Sequence, residues 1–251
     1  MPKARVLPIV VALVLAGCVS TAPAHSEIPA PTQKGDAALT PIVTPTPKTI
    51  DKTLYSVDDP TSLWIVADKL RRLDPKKFAP SDLRTLDVPH TYTPMLRADA
   101  AKAYGKMFRA AQKKGINLVF QSGYRSYSAQ VSVYNGWVAT LGQNGADRQS
   151  ARPGYSEHQT GLSVDIASAT AGCTIQSCFA TTPEGRWLKK NAWEYGWHLR
   201  YPKGKTDITG YKFEPWHFRY VGLELAAELN LTPGITLEEF FELPAAPDYA
   251  P

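Results

Sequence analysis

Four side chains of this chain have the types that hydrolysis at a divalent cation demands. In Ser156-Glu157-His158-Gln159-Thr160-Gly161-Leu162-Ser163-Val164-Asp165 a histidine precedes a glycine turn, and an aspartate follows that histidine by seven residues. Further on, Glu214-Pro215-Trp216-His217 sets an acid three residues ahead of a second histidine. A hydrolytic zinc site needs three nitrogen or carboxylate ligands, an open position for water, and a non-ligand carboxylate beside that water. His158, Asp165, His217 and Glu214 make up such a set. Two of them also have a plainer role open to them. Asp165 suits a hydrogen-bonded buried carboxylate, and His217, between Trp216 and Phe218, suits a satisfied core histidine.

Backbone must bring these residues together. Leu162, Val164 and Ile166 alternate with Ser163 and Asp165, the pattern of a strand whose core face leaves Asp165 on the opposite side. The stretch 213–221 reads as another strand. An ideal strand would put Glu214 and His217 on opposite faces, so they share a site only where the chain twists, bulges or turns near Pro215. Apolar or small residues at Leu96, Ala100, Ala103, Met107 and Ala111 predict an amphipathic helix over 96–114, closed by Gly115. A strand over 116–120 follows, leading into Ser122-Gly123-Tyr124-Arg125-Ser126. Helical spacing resumes over 127–141 and again over about 184–195. Residues 62–67 read as a short strand, and 74–94 are broken by prolines. Helices and strands mix without regular alternation, which predicts an α+β fold with a small, mainly antiparallel sheet flanked by helices. A doubly wound parallel sheet is the weaker alternative.

The 251 residues, 43% hydrophobic and 10% aromatic, are enough for one sizeable domain. Lys3 and Arg5 precede an apolar stretch over 6–16 that is too short to cross a hydrocarbon core of roughly 30 Å, so residues 1–17 read as a signal peptide. Leu15-Ala16-Gly17-Cys18 resembles the lipobox of bacterial lipoproteins, in which the cysteine is acylated. The alternative is a cleaved secretory signal with an incidental cysteine. Either way the protein is expected outside the cytoplasm, held to the membrane by lipid or secreted. Residues 18–60, rich in proline, threonine and alanine, read as a linker, 61–243 as the domain and 244–251 as a tail. The net charge of +5 includes Lys3 and Arg5, so it falls to +3 without the signal. That balance suits anionic wall polymers and is too diffuse for nucleic-acid binding. Cys173 and Cys178 lack nearby partners for a closed zinc site and are expected to form a disulfide. His25, His90 and His198 are not expected to bind metal. Trp187, Trp193 and Trp197 are expected to pack helix on sheet, while Tyr201 and Trp216 are candidates for a cleft wall.

Three blocks, Ser122-Gly123-Tyr124-Arg125-Ser126, the segment from Ser156 to Ile166, and Glu214-Pro215-Trp216-His217-Phe218-Arg219-Tyr220, resemble in this order the VanY-type D-alanyl-D-alanine carboxypeptidases. The resemblance spans roughly residues 60–230. It implies the fold shared by DD-peptidases and the Hedgehog signalling domain. It further implies that His158, Asp165 and His217 ligate one Zn2+, with Glu214 as general base and Arg125 over the scissile carbonyl. Gln130 and Ser156 match positions that contact the peptide or its terminal carboxylate. The expected activity is removal of the C-terminal D-alanine from peptidoglycan stem peptides, by a monomer. An L,D-carboxypeptidase, a wall endopeptidase and a non-catalytic, zinc-stabilised wall-binding module are the alternatives.

Overall fold

A computed structural model describes residues 50–250; the signal segment, Cys18, His25 and most of the linker lie outside them. Strands β1 (Leu83–Thr85) and β2 (Met95–Arg97) form a short antiparallel ladder that runs directly into helix α1 (Ala98–Gln112). Strand β3 (Leu118–Ser122) and helix α2 (Tyr127–Gln149) follow, then β4 (Ser163–Ser168), α3 (Pro183–Asn191), β5 (Trp197–Leu199) and the single turn α4 (Thr206–Thr209). Strand β6 (His217–Tyr220) and helices α5 (Leu223–Asn230) and α6 (Leu237–Phe240) complete the order. The main sheet runs β3-β4-β6-β5, with every neighbouring pair antiparallel. This is the α+β architecture that the patterning predicts.

Helix α1 forms because its small and apolar face can be buried: Ala100, Tyr104, Met107 and Ala111 are wholly inaccessible. Alanines let the helix sit close to the sheet, and Tyr104 meets Phe120 and Trp197 edge-on, with ring centroids 5.2 and 6.2 Å away. Each large side chain taken from water in this way contributes about 1.5–3 kcal/mol. Gly115, at φ 72°, follows the helix in the left-handed conformation. Val164 and Ile166 of β4 face the same core, with Leu162 just ahead of them. A second cluster lies under the C-terminal helices and gathers Trp64, Val66, Val221, Leu225, Leu229 and Phe240.

Several expectations are corrected by the fold. Residues 62–67 form no strand among the described residues. They run between the two core clusters, with Trp64 and Val66 in one and Ile65 and Ala67 in the other. That sandwiching explains their alternation without any sheet partner. The strand expected over 213–221 begins only at His217. Helix α2 continues past 141, through a kink at Gly142 (φ 67°), because Ala146 and Asp147 find buried places beyond it. The helix expected over 184–195 is α3 followed by a 3-10 turn at Ala192–Tyr195. Packed structure is present before residue 61, where Val57 accepts from the Val66 amide at 3.0 Å. The stretch read as a tail also packs on the domain: Ala246 is inaccessible, and the Tyr249 hydroxyl accepts from the Arg152 amide at 2.7 Å. No helix of the described residues is long and apolar enough to cross a membrane.

Candidate active site

The antiparallel register of β4 and β6 pairs Asp165 with His217. Residues directly opposite in such a ladder share a face with Cβ atoms about 5 Å apart, and here His217 Nδ1 lies 3.0 Å from Asp165 Oδ1. His158 arrives from a separate device, a 3-10 turn at Glu157–Thr160 that ends on Gly161 at φ 68°. Only glycine adopts that conformation freely, and a Cβ there would press on Arg97 and Leu83 at 3.1 Å. The reversal sets the His158 ring edge-on to that of His217, centroids 5.0 Å apart, with Nε2 3.2 Å from Asp165 Oδ2.

Ligand atoms of these three buried residues all lie within 4.8 Å of one another. A tetrahedral zinc ion with bonds near 2.0–2.2 Å holds its ligand atoms about 3.3–3.6 Å apart, so the two pairs through Asp165, at 3.0 and 3.2 Å, already suit such an ion, and the widest separation must draw in. The outer nitrogens agree. His158 Nδ1 donates to the Gly123 carbonyl at 2.8 Å, which leaves its Nε2 lone pair facing inward. His217 Nε2 faces Glu157 Oε2 at 3.4 Å, which leaves Nδ1 for the interior. Gly123 has no room for a side chain, because a Cβ would collide with the Met95 carbonyl and the Phe120 ring.

Glu214 stands beside the cluster rather than in it, with Oε2 3.9 Å from His217 Nδ1. The conflict between its spacing and strand geometry is resolved by a β-turn. The His217 amide donates to the Glu214 carbonyl at 3.1 Å, and Pro215 takes the second position of the turn, which its fixed φ favours. Acid and histidine therefore lie on one side of the chain.

Electrostatics sort these groups. Burial pushes Glu214 up to about 7, with His217 and Arg125 pulling the other way. Burial works against ionisation of Asp165 too, but His158 and His217 outweigh it and hold the carboxyl well below the usual range. His158 is lowered, by burial first and then by the charge of Arg125. His217 is raised to about 9, because hydrogen bonds to Asp165 and Glu157 overcome its burial.

Arg125 borders the same cleft. Its amide donates to the His158 carbonyl at 3.0 Å, and its guanidinium donates to Gln130 Oε1 at 3.0 Å and Ser122 Oγ at 2.9 Å. Gln130 is wholly buried, and its amide nitrogen donates to the Ala151 carbonyl and Ser150 Oγ, so in this state it orients Arg125. Ser156 lies in the wall of the cleft, which measures about 620 Å³. Tyr201 and Trp216 both line it, and the Tyr201 ring centroid is 4.9 Å from that of His217. Cys173 and Cys178 are disulfide-bonded, Cα atoms 5.7 Å apart, in a loop whose Ile175 reaches the cleft wall. Trp197 packs in the core, Trp187 stacks on Tyr195, and Trp193 lies against the C-terminal cluster. His90 is exposed and His198 lies on β5; neither joins the His158, Asp165 and His217 cluster.

Sequence reasoning passed over the groups behind His217. Glu157, Arg200, Arg219 and Glu238 form a wholly buried ion cluster. Its one local signal was Arg219, two residues after His217 and therefore on the same strand face.

Residues 93–223, just over half of the chain, match the family VanY, D-alanyl-D-alanine carboxypeptidase. The chain belongs to this family. Among its relatives, the YodJ protein of Bacillus subtilis (strain 168) is 41% identical over 194 residues, covering 75% of this chain and 70% of that one. The solved structure of the LdcB LD-carboxypeptidase, described in terms of peptidoglycan recognition, is also 41% identical, with a TM-score of 0.69 over 73% of this chain and 87% of the other. The vancomycin-resistance D,D-pentapeptidase VanY, solved as a mutant with Zn(II), is 30% identical, with a TM-score of 0.59 over 70% of this chain and 97% of that one. The fold and the peptidase character of the chain follow from this membership.

Proposed function

We propose that the protein is a zinc-dependent carboxypeptidase that removes the C-terminal D-alanine from peptidoglycan stem peptides. One observation carries this: His158 Nε2, the Asp165 carboxylate and His217 Nδ1 converge in a cleft whose wall also carries Glu214 and Arg125. The VanY neighbour with Zn(II) supports the choice of metal. Held by those three residues, zinc supplies Lewis acidity that acidifies water and polarises an amide carbonyl.

The chain's own groups do the rest. Glu214 takes the proton of the attacking water on its carboxylate and returns it to the leaving amine nitrogen, a task suited to a carboxyl poised near working pH. Arg125, fixed by Ser122 and Gln130, offers its positive charge to the carbonyl oxygen as negative charge develops there. Because the guanidinium is held beforehand, little reorganisation is needed during the reaction.

A second reading, an L,D-carboxypeptidase acting on the tetrapeptide stem, is favoured by the higher identity to LdcB, 41% against 30% for the D,D-pentapeptidase. Mass analysis of products from pentapeptide and tetrapeptide stems, incubated with the zinc-loaded protein, tests both. Loss of one D-alanine from the pentapeptide is expected. Cleavage of the tetrapeptide alone selects the second reading, and an intact pair of stems overturns both in favour of a non-catalytic wall-binding module.

A further inference from the structure

Glu157 is flanked by a cleft residue and a metal-ligand candidate, yet its own side chain is wholly inaccessible. Each carboxylate oxygen has two neighbours. Oε1 accepts from Arg200 Nε at 2.8 Å and Arg219 Nη1 at 3.1 Å. Oε2 accepts from Ser163 Oγ at 3.1 Å and faces His217 Nε2 at 3.4 Å. Arg200 turns the other edge of its guanidinium to Glu238 on α6, donating to both carboxylate oxygens at 2.9 and 2.6 Å. Two arginines and two glutamates thus form a closed, charge-balanced cluster between the C-terminal helix and one imidazole.

We propose that Glu157 is a positioning residue for His217, fixing its Nε2–H tautomer and ring orientation, and that Arg200, Arg219 and Glu238 act through it. The inference rests on the zinc reading of the site. A metal-ligating histidine needs an acceptor for its outer N–H, and a carboxylate fixes ring and tautomer while making the inner nitrogen more basic. The two histidines solve this differently. His158 uses the Gly123 carbonyl, a backbone acceptor set by strand geometry. His217 uses a side chain, which must itself be fixed. Two guanidiniums and Ser163 do so, since a buried carboxylate without partners would be costly. Arg219 is tied in addition to the Leu63 carbonyl at 3.0 Å, so the cluster is anchored at both ends of the domain.

A purely structural ion cluster would stabilise the fold and leave the metal untouched, and this separates the two roles. In 15N-histidine-labelled protein loaded with zinc, long-range proton–nitrogen spectra should show His217 protonated at Nε2 and His158 protonated at Nδ1. Glu157→Gln should weaken zinc binding, measured by chelator competition, about 10- to 100-fold. Glu157→Asp should recover part of that loss, and Glu238→Gln, linked to Glu157 only through Arg200, should give a smaller loss in the same direction. Folded Glu157→Gln protein with zinc affinity within about twofold of the parent would overturn the proposal. Should that variant not fold, the parent spectrum decides, because a His217 protonated at Nδ1 also overturns it. Parent protein without zinc affinity would instead refute the metal reading, and this inference with it.

Discussion

Glu214 and His158 sit in one cleft, and substitution separates the tasks proposed for them. Glu214→Ala is expected to keep stoichiometric zinc while turnover falls about 10²- to 10⁴-fold, the usual worth of a positioned acid–base group. His158→Ala should lose both metal and activity. Metal analysis beside product assay checks the pair, and zinc-free Glu214→Ala protein contradicts the division. His217 adds a pH signature. Without metal its pKa is raised to about 9, so at pH 7.5 the ring is protonated, with both nitrogens facing carboxylates. Ligation needs the Nδ1 lone pair, so zinc uptake at that pH should release roughly one proton, and affinity should rise as pH climbs towards 9. Calorimetry in buffers of different ionisation enthalpy measures the release; a heat independent of buffer would contradict it. The linkage sign for folding follows from the same shift. The raised His217 stabilises the metal-free fold fully below its unfolded value near 6.5, and that contribution is lost as pH rises through about 9.

At the scale of elements, the site depends on three short irregularities between regular pieces: the tight approach at Gly123, the 3-10 turn ending on Gly161, and the β-turn at Pro215. Gly161→Ala must hold a left-handed conformation and push against Arg97 and Leu83. It should cost about 1–2 kcal/mol for the backbone alone, seen as a lower thermal midpoint. Since the turn also aims His158, zinc affinity should fall with it, whereas an unchanged midpoint would show that the turn carries no such constraint. The helices were easier to read than these joints. Helix α1 occupies Ala98–Gln112 of the expected 96–114, with Leu96 on β2 instead, because burial of one face depends on a local period that leaves the ends open. The strand expected across Glu214 begins only at His217, because Pro215, with its fixed φ and no N–H for a ladder, starts a turn there.

Across the whole molecule, cleft and C-terminal helix are joined by buried charge, while the N-terminal expectations fall on residues outside the described structure. We propose that Cys18 is acylated and holds the domain at the outer face of the membrane. Cells expressing the protein and fed labelled palmitate should incorporate label, and Cys18→Ser should abolish it; an unlabelled, freely secreted product would refute attachment. With residues 1–17 removed, a net charge of +3 would give only mild attraction to anionic wall polymers, so on this proposal tethering falls to lipid rather than charge.

Which chemistry was available can be read from residue types and their order along the chain. His158, Asp165, Glu214, His217 and Arg125 are legible from residue type and block order, and the alternation of Leu162, Val164 and Ile166 turned Asp165 away from the core. How these groups meet depends on contacts between distant segments. Asp165 and His217 are joined by strand register across 52 residues, and Glu157 finds Arg219 across 62. Periodicity and turn chemistry act over a few neighbours, so they report local shape. Register and buried ion pairing are fixed only when distant segments share one core, which is why the carboxylate behind His217 was visible in the fold and not in the chain.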